Sequence, residues 1–273
     1  MSRIAYDPIK DRFAKIIRNS KLLRTLFYKL LDVFFLRSWY VRNLLRKHAA
    51  DLDKKGHWKL LDAGSGFGQY DRFILNEFRN VEVTSVDVKK DYLADSAKYF
   101  EKEIQKGRIS FSFSDLLAPN IDEHFDFIIC IDVLEHIEED IKVMENLENV
   151  LNPGGLFLMH SPSIYSEEDA GEDDSFVDEH ARVGYSKKEI TSKLQQAGLQ
   201  PVDVQYTYGK KGHLAWKLLI KYPMLWMTRF KLLALPLMAV YYLFTLPVGL
   251  ILMKLDLSDK NIKGTGIFAL ARK

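Results

Sequence analysis

Three closely spaced glycines are the strongest chemical signal in this sequence. Gly64, Gly66 and Gly68 follow a short apolar run and precede a helical pattern. Glycine has no Cβ, so the backbone at these positions can turn sharply and approach a ligand closely. Asp87 ends the next apolar run, where a carboxylate of an α/β sheet can accept two hydrogen bonds from a ribose diol. We therefore expect a ribose-bearing cofactor at the carboxyl ends of the strands.

The glycine spacing is G-x-G-x-G, whereas dinucleotide-binding loops use G-x-G-x-x-G. A loop that holds a pyrophosphate is therefore less favoured than one that holds another ribose-bearing cofactor.

The elements that must position these residues alternate between strand and helix. Such alternation predicts an α/β fold with a mostly parallel sheet of seven strands and helices on both faces. The predicted strands are 59–63, 82–87, 109–113, 125–131, 156–159, 201–208 and 264–273. The predicted helices are 12–46, 69–78, 91–106, 138–151 and 186–197, the last with a capping box from Ser186 to Glu189.

Several further motifs follow in a fixed order along the chain. They are Leu60-Leu-Asp-Ala-Gly-Ser-Gly-Phe-Gly68, Val86-Asp87, Ser114-Asp-Leu116, Phe125-Asp-Phe-Ile-Ile-Cys-Ile-Asp-Val-Leu-Glu-His136 and Leu151-Asn-Pro-Gly-Gly155. With them, the chain from about Leu60 to Gly198, together with its final strand, resembles the class I S-adenosylmethionine-dependent methyltransferases of the broad type-11 group. These motifs specify the fold and the cofactor but say little about the methyl acceptor.

The resemblance implies a Rossmann-like fold and S-adenosylmethionine as the cofactor. It implies that Asp62 and the glycines hold the methionine end, that Asp87 holds the ribose, and that Asp115 frames the adenine. The residues from Asp132 onward would line the floor near the sulfonium. The predicted cofactor-binding residues are Asp62, Gly64, Ser65, Gly66, Gly68, Asp87, Val88, Ser114, Asp115, Leu116, Asp132 and Val133.

Methyl transfer from a sulfonium is an in-line displacement, in which a protein mainly aligns the reactants and excludes water. A general base helps where the acceptor is a hydroxyl or another group of high pKa. The fourth predicted strand is followed by Asp132-Val-Leu-Glu-His136 and not by Asn-Pro-Pro-Tyr, which favours an oxygen or carbon acceptor over an exocyclic base amine. His136 and His180 are the candidate bases, although His136 could instead cap the helix that follows.

A metal site is a minor alternative. Asp132, Glu135, His136 and His180 resemble the Glu-x-x-Glu-His…His arrangement of metal-dependent methyltransferases, and such ligands suit magnesium, manganese or zinc. The first acid here is the shorter Asp, and we expect no metal. Cys130, the only cysteine, excludes an internal disulfide and is predicted to be a buried strand residue.

The charge of the chain is unevenly distributed. Its 273 residues have a net charge of +2, with 15 Lys and Arg against 5 Asp and Glu in residues 1–60, and 11 against 2 in residues 205–273. Basic ends around an acidic middle indicate an anionic partner, either a membrane surface or a nucleic acid.

An apolar segment precedes the final predicted strand. The 22 residues from Leu232 to Met253 carry no charge and are long enough to span a bilayer. Because the final strand must rejoin the sheet, we expect the segment to leave and return on one side, broken into shorter helices by Pro236 and Pro247. The basic residues expected to face lipid headgroups are Arg18, Lys21, Arg24, Lys210, Lys211, Lys217, Lys221, Arg229 and Lys231.

The sequence thus predicts three regions. Residues 1–56 form a basic amphipathic helical region, 57–211 with 259–273 a methyltransferase core, and 212–258 a helical insertion that either enters a membrane or forms a lid or dimer contact. We expect methyl transfer to an apolar or lipid-like small molecule by a protein bound peripherally to the cytoplasmic face of a membrane. The sequence does not determine the oligomeric state.

Two alternative functions remain. The first is a nucleic-acid methyltransferase that uses the basic flanks, which is disfavoured because the insertion is rich in Leu, Phe and Trp instead of Arg. The second is a non-catalytic scaffold that binds the cofactor.

Overall fold

The computed structural model of the chain describes residues 20–166, 181–230 and 234–273. Three residues named above as site or headgroup candidates, Arg18, His180 and Lys231, lie outside the described residues.

Seven strands form a single sheet. They are β1 (Trp58–Ala63), β2 (Val81–Asp87), β3 (Ile109–Phe113), β4 (Phe125–Ile131), β5 (Leu151–Pro162), β6 (Gln200–Thr207) and β7 (Gly266–Arg272). Their order is β3-β2-β1-β4-β5-β7-β6, and β7 runs antiparallel to both of its neighbours while the other pairs are parallel. The predicted seven-stranded, mostly parallel sheet is confirmed.

Helices cover both faces of the sheet. They are α1 (Lys21–Phe34), α2 (Leu36–Lys55), α3 (Gln69–Glu77), α4 (Lys90–Tyr99), α5 (Glu101–Gln105), α6 (Asp140–Asn149), α7 (Lys187–Gln196), α8 (Lys210–Trp216), α9 (Tyr222–Phe230) and α10 (Ala234–Ser258). Successive side chains of a strand point to opposite faces. Leu60 therefore joins one apolar core with residues of α2 and α3, and Leu61 joins the other with residues of α6 and α7.

The predicted helix from Arg12 to Arg46 is wrong as a single element. Two helices, α1 and α2, meet at Phe35, whose backbone is extended with φ −102° and ψ 111°. Ser20 caps α1, and the amide of Ser38 bonds to the carbonyl of Phe35 as α2 begins. The break lets the two helices pack in different directions, which a continuous apolar pattern does not reveal.

Two other predicted boundaries differ from the structure. The helix expected from 91 to 106 divides at Phe100, whose ring packs edge-on against Tyr99 and close to Phe111. Strand β5 begins at Leu151 because this residue already pairs with Phe125, so the sequence Asn-Pro-Gly-Gly lies inside the strand. Pairing with neighbouring chain segments therefore overrides the local signals for turns.

The apolar insertion is a helical hairpin. Helix α8 continues through a π-helical turn, Lys217–Lys221, into α9, and α10 returns to the sheet. The expectation that Pro236 and Pro247 would break the insertion is wrong, because α10 is continuous from Ala234 to Ser258. Pro236 lies in the first turn of α10, where a backbone amide has no hydrogen-bond partner within the helix. Pro247 removes one backbone hydrogen bond from a long helix rich in Leu and Met, which are good helix formers.

The end of α10 is fixed to the core through a buried carboxylate. Asp256 accepts hydrogen bonds from the hydroxyl of Tyr40 at 2.8 Å and from the amide of Gly212 at 3.0 Å. Gly212 belongs to α8, so the first helix of the hairpin and the last turn of α10 meet at one point. The hairpin therefore leaves and returns on the same side of the domain.

One helix among the described residues is long and apolar enough to cross a bilayer, judged by length and composition. It comprises Leu235–Ser258, and only 6% of its most apolar window is buried inside the protein. This exposure distinguishes α10 from the core helix of a globular domain, whose apolar residues are mostly buried.

Candidate active site

The glycine loop connects β1 to α3 at the carboxyl edge of the sheet. Its three glycines all have positive φ angles, 85° at Gly64, 52° at Gly66 and 70° at Gly68, a conformation that side chains disfavour. Gly64 also lies against Val133, because a Cβ there would come within 2.4 Å of that side chain. The loop thus needs glycine both for its backbone shape and for its packing against the segment after β4.

Asp87 fastens this loop to the neighbouring strand. It is the last residue of β2, and its Oδ2 atom accepts a hydrogen bond from the amide of Gly66 at 2.9 Å. Its Oδ1 atom accepts from the amide of Lys89 at 2.8 Å. The half-buried carboxylate keeps free acceptor capacity, since each carboxylate oxygen has two lone pairs.

A pair of buried carboxyl groups lies beneath the loop. Asp62 is almost completely buried, and its Oδ2 atom has no hydrogen-bond partner among the described residues. Burial and the neighbouring Asp71 raise the pKa of Asp62 well above its ordinary value. Burial also raises the pKa of Asp71 to about 6, although a hydrogen bond from Ser85 at 2.8 Å opposes the rise. The hydrogen bond between Asp62 and Asp71 leaves one oxygen of Asp62 without a partner among the described residues, and a cationic ligand group there would favour the charged carboxylate.

Two hydroxyl groups near the loop also lack hydrogen-bond partners among the described residues. Ser65 and Ser114 are buried, and neither Oγ atom has a partner within the described part of the chain. Buried polar groups in proteins normally have hydrogen-bond partners, so these orphaned atoms fit a site that a polar cofactor completes.

The predicted adenine segment follows β3. Asp115 is exposed and accepts a hydrogen bond from the amide of Leu117, whereas Leu116 is buried. Asn146 of α6 donates to the carbonyls of Leu116 and Leu117 at 2.9 and 3.0 Å, which fixes the segment against the core. Val88, the residue that follows Asp87 at the end of β2, is about half exposed.

Asp132 occupies a strained position after β4. Its φ angle is 53°, which is uncommon for a residue with a side chain. The conformation is held by two partners, because Asp132 forms an ion pair with Arg37 of α2 and its Oδ1 atom lies 2.8 Å from Nδ1 of His160. Sequence reasoning missed Arg37, which lies 95 positions away and carries no motif.

His160 is buried in β5 and has both ring nitrogens engaged. Its Nε2 atom lies 3.1 Å from the hydroxyl of Thr207, opposite the contact with Asp132. Burial and the charge of Arg37 lower the pKa of His160 to about 3, so the ring is neutral at physiological pH. His160 is therefore a positioning residue for Asp132 and has no free nitrogen to act as a base.

The residues Glu135 and His136 face different surroundings. Glu135 is buried and accepts a hydrogen bond from the hydroxyl of Ser161 at 2.8 Å, whereas His136 is exposed at the end of a 3-10 turn, Leu134–His136. His136 is not a helix cap, because the N-cap of α6 is Glu139 and the helix begins at Asp140. Within the described residues, no three His, Cys, Asp or Glu side chains come together as metal ligands. Cys130 is fully buried in β4, as expected.

Helix α1 packs over the glycine loop. The Arg24 guanidinium donates to the carbonyls of Phe67 and Asp95 at 2.8 and 2.7 Å, and to the hydroxyl of Ser96 at 2.8 Å. The hydroxyl of Tyr28 also donates to the carbonyl of Phe67. The prediction that Arg24 faces lipid headgroups is wrong, because this side chain is 5% exposed and its polar groups are satisfied inside the protein.

This strand order, with an antiparallel β7 and a glycine loop bound to an acid at the end of β2, defines a nucleoside-cofactor domain of the methyltransferase type. Residues 61–157 match the model of the methyltransferase domain family. This match and the fold support a class I methyltransferase domain, and the cofactor of this class is S-adenosylmethionine.

Known proteins resemble parts of the chain. An O-methyltransferase of Aspergillus sclerotiorum is 27% identical over 112 residues, which are 41% of this chain and 42% of that protein. A phosphoethanolamine N-methyltransferase of Caenorhabditis elegans is 26% identical over 157 residues, 56% of this chain and 35% of that protein. The matches thus span less than half the length of these relatives.

A solved structure extends the likeness to almost the whole chain. It is an S-adenosylmethionine-dependent methyltransferase from Clostridium acetobutylicum, with a TM-score of 0.55, 15% sequence identity, and coverage of 97% of this chain and 98% of that chain. At this level of identity the likeness concerns the fold.

The first testable prediction concerns Asp87. The variant Asp87→Ala is expected to weaken binding of S-adenosylhomocysteine at least about tenfold by calorimetry, since it would remove the predicted ribose acceptor and release the amide of Gly66. The control is Glu82→Ala, because Glu82 lies at the other end of β2 in an exposed contact with His57. Equal affinity of Asp87→Ala and the wild type would show that Asp87 does not contact the cofactor.

The second prediction concerns the pH dependence of stability. Burial raises the pKa of Glu135 to about 7. Between the pKa of the unfolded chain, about 4.3, and pH 7, unfolding releases a proton that the folded protein holds, so this residue's contribution to stability falls as the pH rises. Relative to the wild type, Glu135→Gln should gain up to about 3 kcal/mol of unfolding free energy from pH 4.5 to pH 7.5.

Urea unfolding at several pH values measures this difference. Glu138→Gln is the matched control, because Glu138 is exposed three residues away and should show no trend of that size. A constant difference between Glu135→Gln and the wild type across this range would mean that Glu135 is ionised in the folded protein.

Proposed function

We propose that this protein is an S-adenosylmethionine-dependent methyltransferase that acts on an apolar or lipid-like small molecule at a membrane surface. The observation that carries the proposal is the combination of the polar glycine-loop site with a large exposed apolar surface on α1, α9 and α10. The proposed location is the cytoplasmic face of a membrane, and the exposed apolar surface supports the membrane contact.

The described residues supply the contacts that the cofactor needs. Asp62 would bind the ammonium of the methionine end and Asp87 the ribose hydroxyls, while Ser65 and Ser114 offer unpaired hydroxyls. The adenine would lie at Asp115 and Leu116. Arg37 of α2, whose guanidinium pairs with Asp132, would add a cation for the methionine carboxylate.

The bound cofactor supplies an electrophilic methyl group with a good leaving group. The chain's own contribution is to hold the acceptor in line and to exclude water. Asp132 and Val133 would form the floor, where the ion pair with Arg37 keeps Asp132 in place. His136 is the base candidate within the described residues, and an acceptor hydroxyl would have to reach it at the protein surface. We retain the oxygen or carbon acceptor as part of the proposal.

The exposed apolar surface comprises α1, α9 and α10. On α10 the side chains of Leu243 and Phe244 are 71% and 68% exposed, which is unusual for a large apolar group on a soluble domain. We call this the apolar surface. Its exposed members are Leu22, Leu23, Leu26, Leu30, Val33, Met224, Leu225, Trp226, Phe230, Leu235, Leu237, Val240, Leu243, Phe244, Val248, Ile251 and Leu255.

A groove of about 540 Å³ opens between α9 and α10 within this surface. Its lining consists of Trp226, Phe230, Leu237, Val240 and Tyr241. A groove of this composition suits an acyl or isoprenoid chain, which supports a lipid-like acceptor or a lipid contact.

Basic residues near the hairpin complement an anionic surface. Lys210 and Arg229 are exposed, and Lys217 and Lys221 are half-buried on the same helical run. Lys211 is less suited, because it pairs with Asp259 at 2.8 Å, and Lys21 pairs with Glu101 at 3.4 Å. Each lysine or arginine near an anionic bilayer adds roughly 1 kcal/mol of attraction. An apolar surface flanked by cations favours a membrane over a nucleic acid, whose binding depends on phosphate contacts.

The experiment that tests the activity uses a lipid extract. The chain is incubated with the extract and with cofactor carrying a labelled methyl group, and mass spectrometry identifies labelled products. We expect label in an apolar product, and loss of that label with Asp87→Ala. Label in RNA or DNA from a parallel incubation would favour the nucleic-acid alternative. Cofactor binding without label in any fraction would favour the scaffold.

The membrane contact gives a separate prediction. The full chain should float with vesicles that contain phosphatidylglycerol in a density gradient, and Leu237→Glu with Phe244→Glu should leave it at the bottom. Two carboxylates on the apolar surface would have to enter the lipid without partners, which is unfavourable.

The matched control replaces exposed apolar residues elsewhere. Ile104 on α5 and Val202 on β6 are exposed outside the apolar surface, and their double Glu variant should float like the wild type. A wild-type chain that stays at the bottom of the gradient would exclude the membrane part of the proposal.

A further inference from the structure

The inward face of α1 holds the cofactor loop. Arg24 binds the carbonyl of Phe67 in the loop and two groups of α4, the carbonyl of Asp95 and the hydroxyl of Ser96. Tyr28 is fully buried, donates to the same Phe67 carbonyl, and packs edge-on against Tyr99 with ring centroids 5.3 Å apart. The position of this part of the loop therefore depends on α1 being in place.

The outward face of the same helix belongs to the apolar surface. Leu22 is 78% exposed, and Leu26 and Leu30 follow it at intervals of four residues, the spacing of one helical face. At the end of α1, Phe34 contacts Tyr242 of α10 with ring centroids 5.5 Å apart. This contact places the end of α1 beside α10, so a bilayer that meets α10 would lie close to α1.

We propose that bilayer docking and cofactor binding stabilise each other through α1. This inference rests on the membrane contact of the proposed function and concerns the regulation of that same site. Docking favours the state in which α1 packs on the glycine loop and on α4. In that state α1 fixes the loop, which the hydrogen bond between Gly66 and Asp87 shapes for the cofactor. The protein would then hold its cofactor most tightly where a lipid-like acceptor is available.

The physical basis is the marginal stability of a short helix. α1 has 14 residues, and an isolated helix of this length is marginal in water, so its folding depends on what it contacts on each face. Each ligand that favours the attached helix lowers the cost of attachment for the other. The coupling is reciprocal, so the cofactor must strengthen vesicle binding by the same factor by which vesicles strengthen cofactor binding.

The experiment measures the dissociation constant of S-adenosylhomocysteine for the full chain with and without saturating vesicles of phosphatidylcholine and phosphatidylglycerol. We expect vesicles to lower the constant about fivefold or more, within the usual range of coupling between two sites. Flotation with and without S-adenosylhomocysteine, carried out below saturation with vesicles, gives the reciprocal measurement and requires no methyl transfer.

Variants on the inward face separate the coupling from the membrane contact. Arg24→Gln removes the contacts to Phe67, Asp95 and Ser96, and Tyr28→Phe removes one hydroxyl while the ring stays. Both should still float with vesicles but should lose most of the vesicle-dependent gain in affinity. Lys29→Gln is the matched control, because Lys29 is exposed on the same helix and its loss changes the net charge as Arg24→Gln does.

The outcomes are distinguishable. A chain that floats but binds S-adenosylhomocysteine equally well with and without vesicles overturns the coupling and leaves the membrane proposal intact. A chain that does not float overturns the membrane proposal and the coupling with it. If Arg24→Gln and Tyr28→Phe both fold, float and keep the full gain, coupling through α1 is wrong. Because Tyr28→Phe keeps the buried ring, it provides the test even if Arg24→Gln does not fold.

Discussion

The hydrogen bond from the amide of Gly66 to the carboxylate of Asp87 is the interaction on which the site depends. It joins the loop that follows β1 to the end of β2, so the spacing of two parallel strands fixes the position of the loop. Parallel strands bring their carboxyl ends to the same edge, and ligands of open α/β sheets bind at that edge. Asp87 also accepts from the amide of Lys89, so these two amides orient the carboxylate to which a ribose would bind.

Around this bond the protein keeps several polar groups incompletely satisfied. Asp62, Ser65 and Ser114 are buried with unpaired oxygens among the described residues, which is unfavourable for the protein without a ligand. Burial also holds Asp62 toward its neutral form, since its pKa is raised well above the ordinary value. A cofactor with an ammonium and hydroxyl groups would pair these oxygens and favour the charged form of Asp62, so burial of these groups would contribute to affinity for a specific kind of ligand.

Much of this architecture was predictable from the sequence because the determining signals are local. The glycines, the acid after the second strand and the apolar strands each lie within short segments, and the alternation of strands with helices predicts a mostly parallel sheet. Arg37 and Arg24 were not predictable as site residues, since their partners, Asp132 and Phe67, are distant in sequence and an arginine on an amphipathic helix is normally solvated. The continuity of α10 was not predictable for another reason. A proline near the start of a helix, or within a long apolar helix, destabilises the helix less than the sequence pattern suggests.

The exposed apolar helices and the candidate cofactor site are connected through α1 and α2. Asp256 fixes the foot of the hairpin to Tyr40 of α2, the helix that also presents Arg37 to Asp132. Phe34 connects the far part of α10 to α1, whose Arg24 holds the loop. A lid that merely covered an acceptor would direct its apolar side chains inward, whereas Leu243 and Phe244 point outward over most of their surface. The orientation of these side chains therefore favours a surface partner, and the helices that would meet this partner are the ones that shape the site.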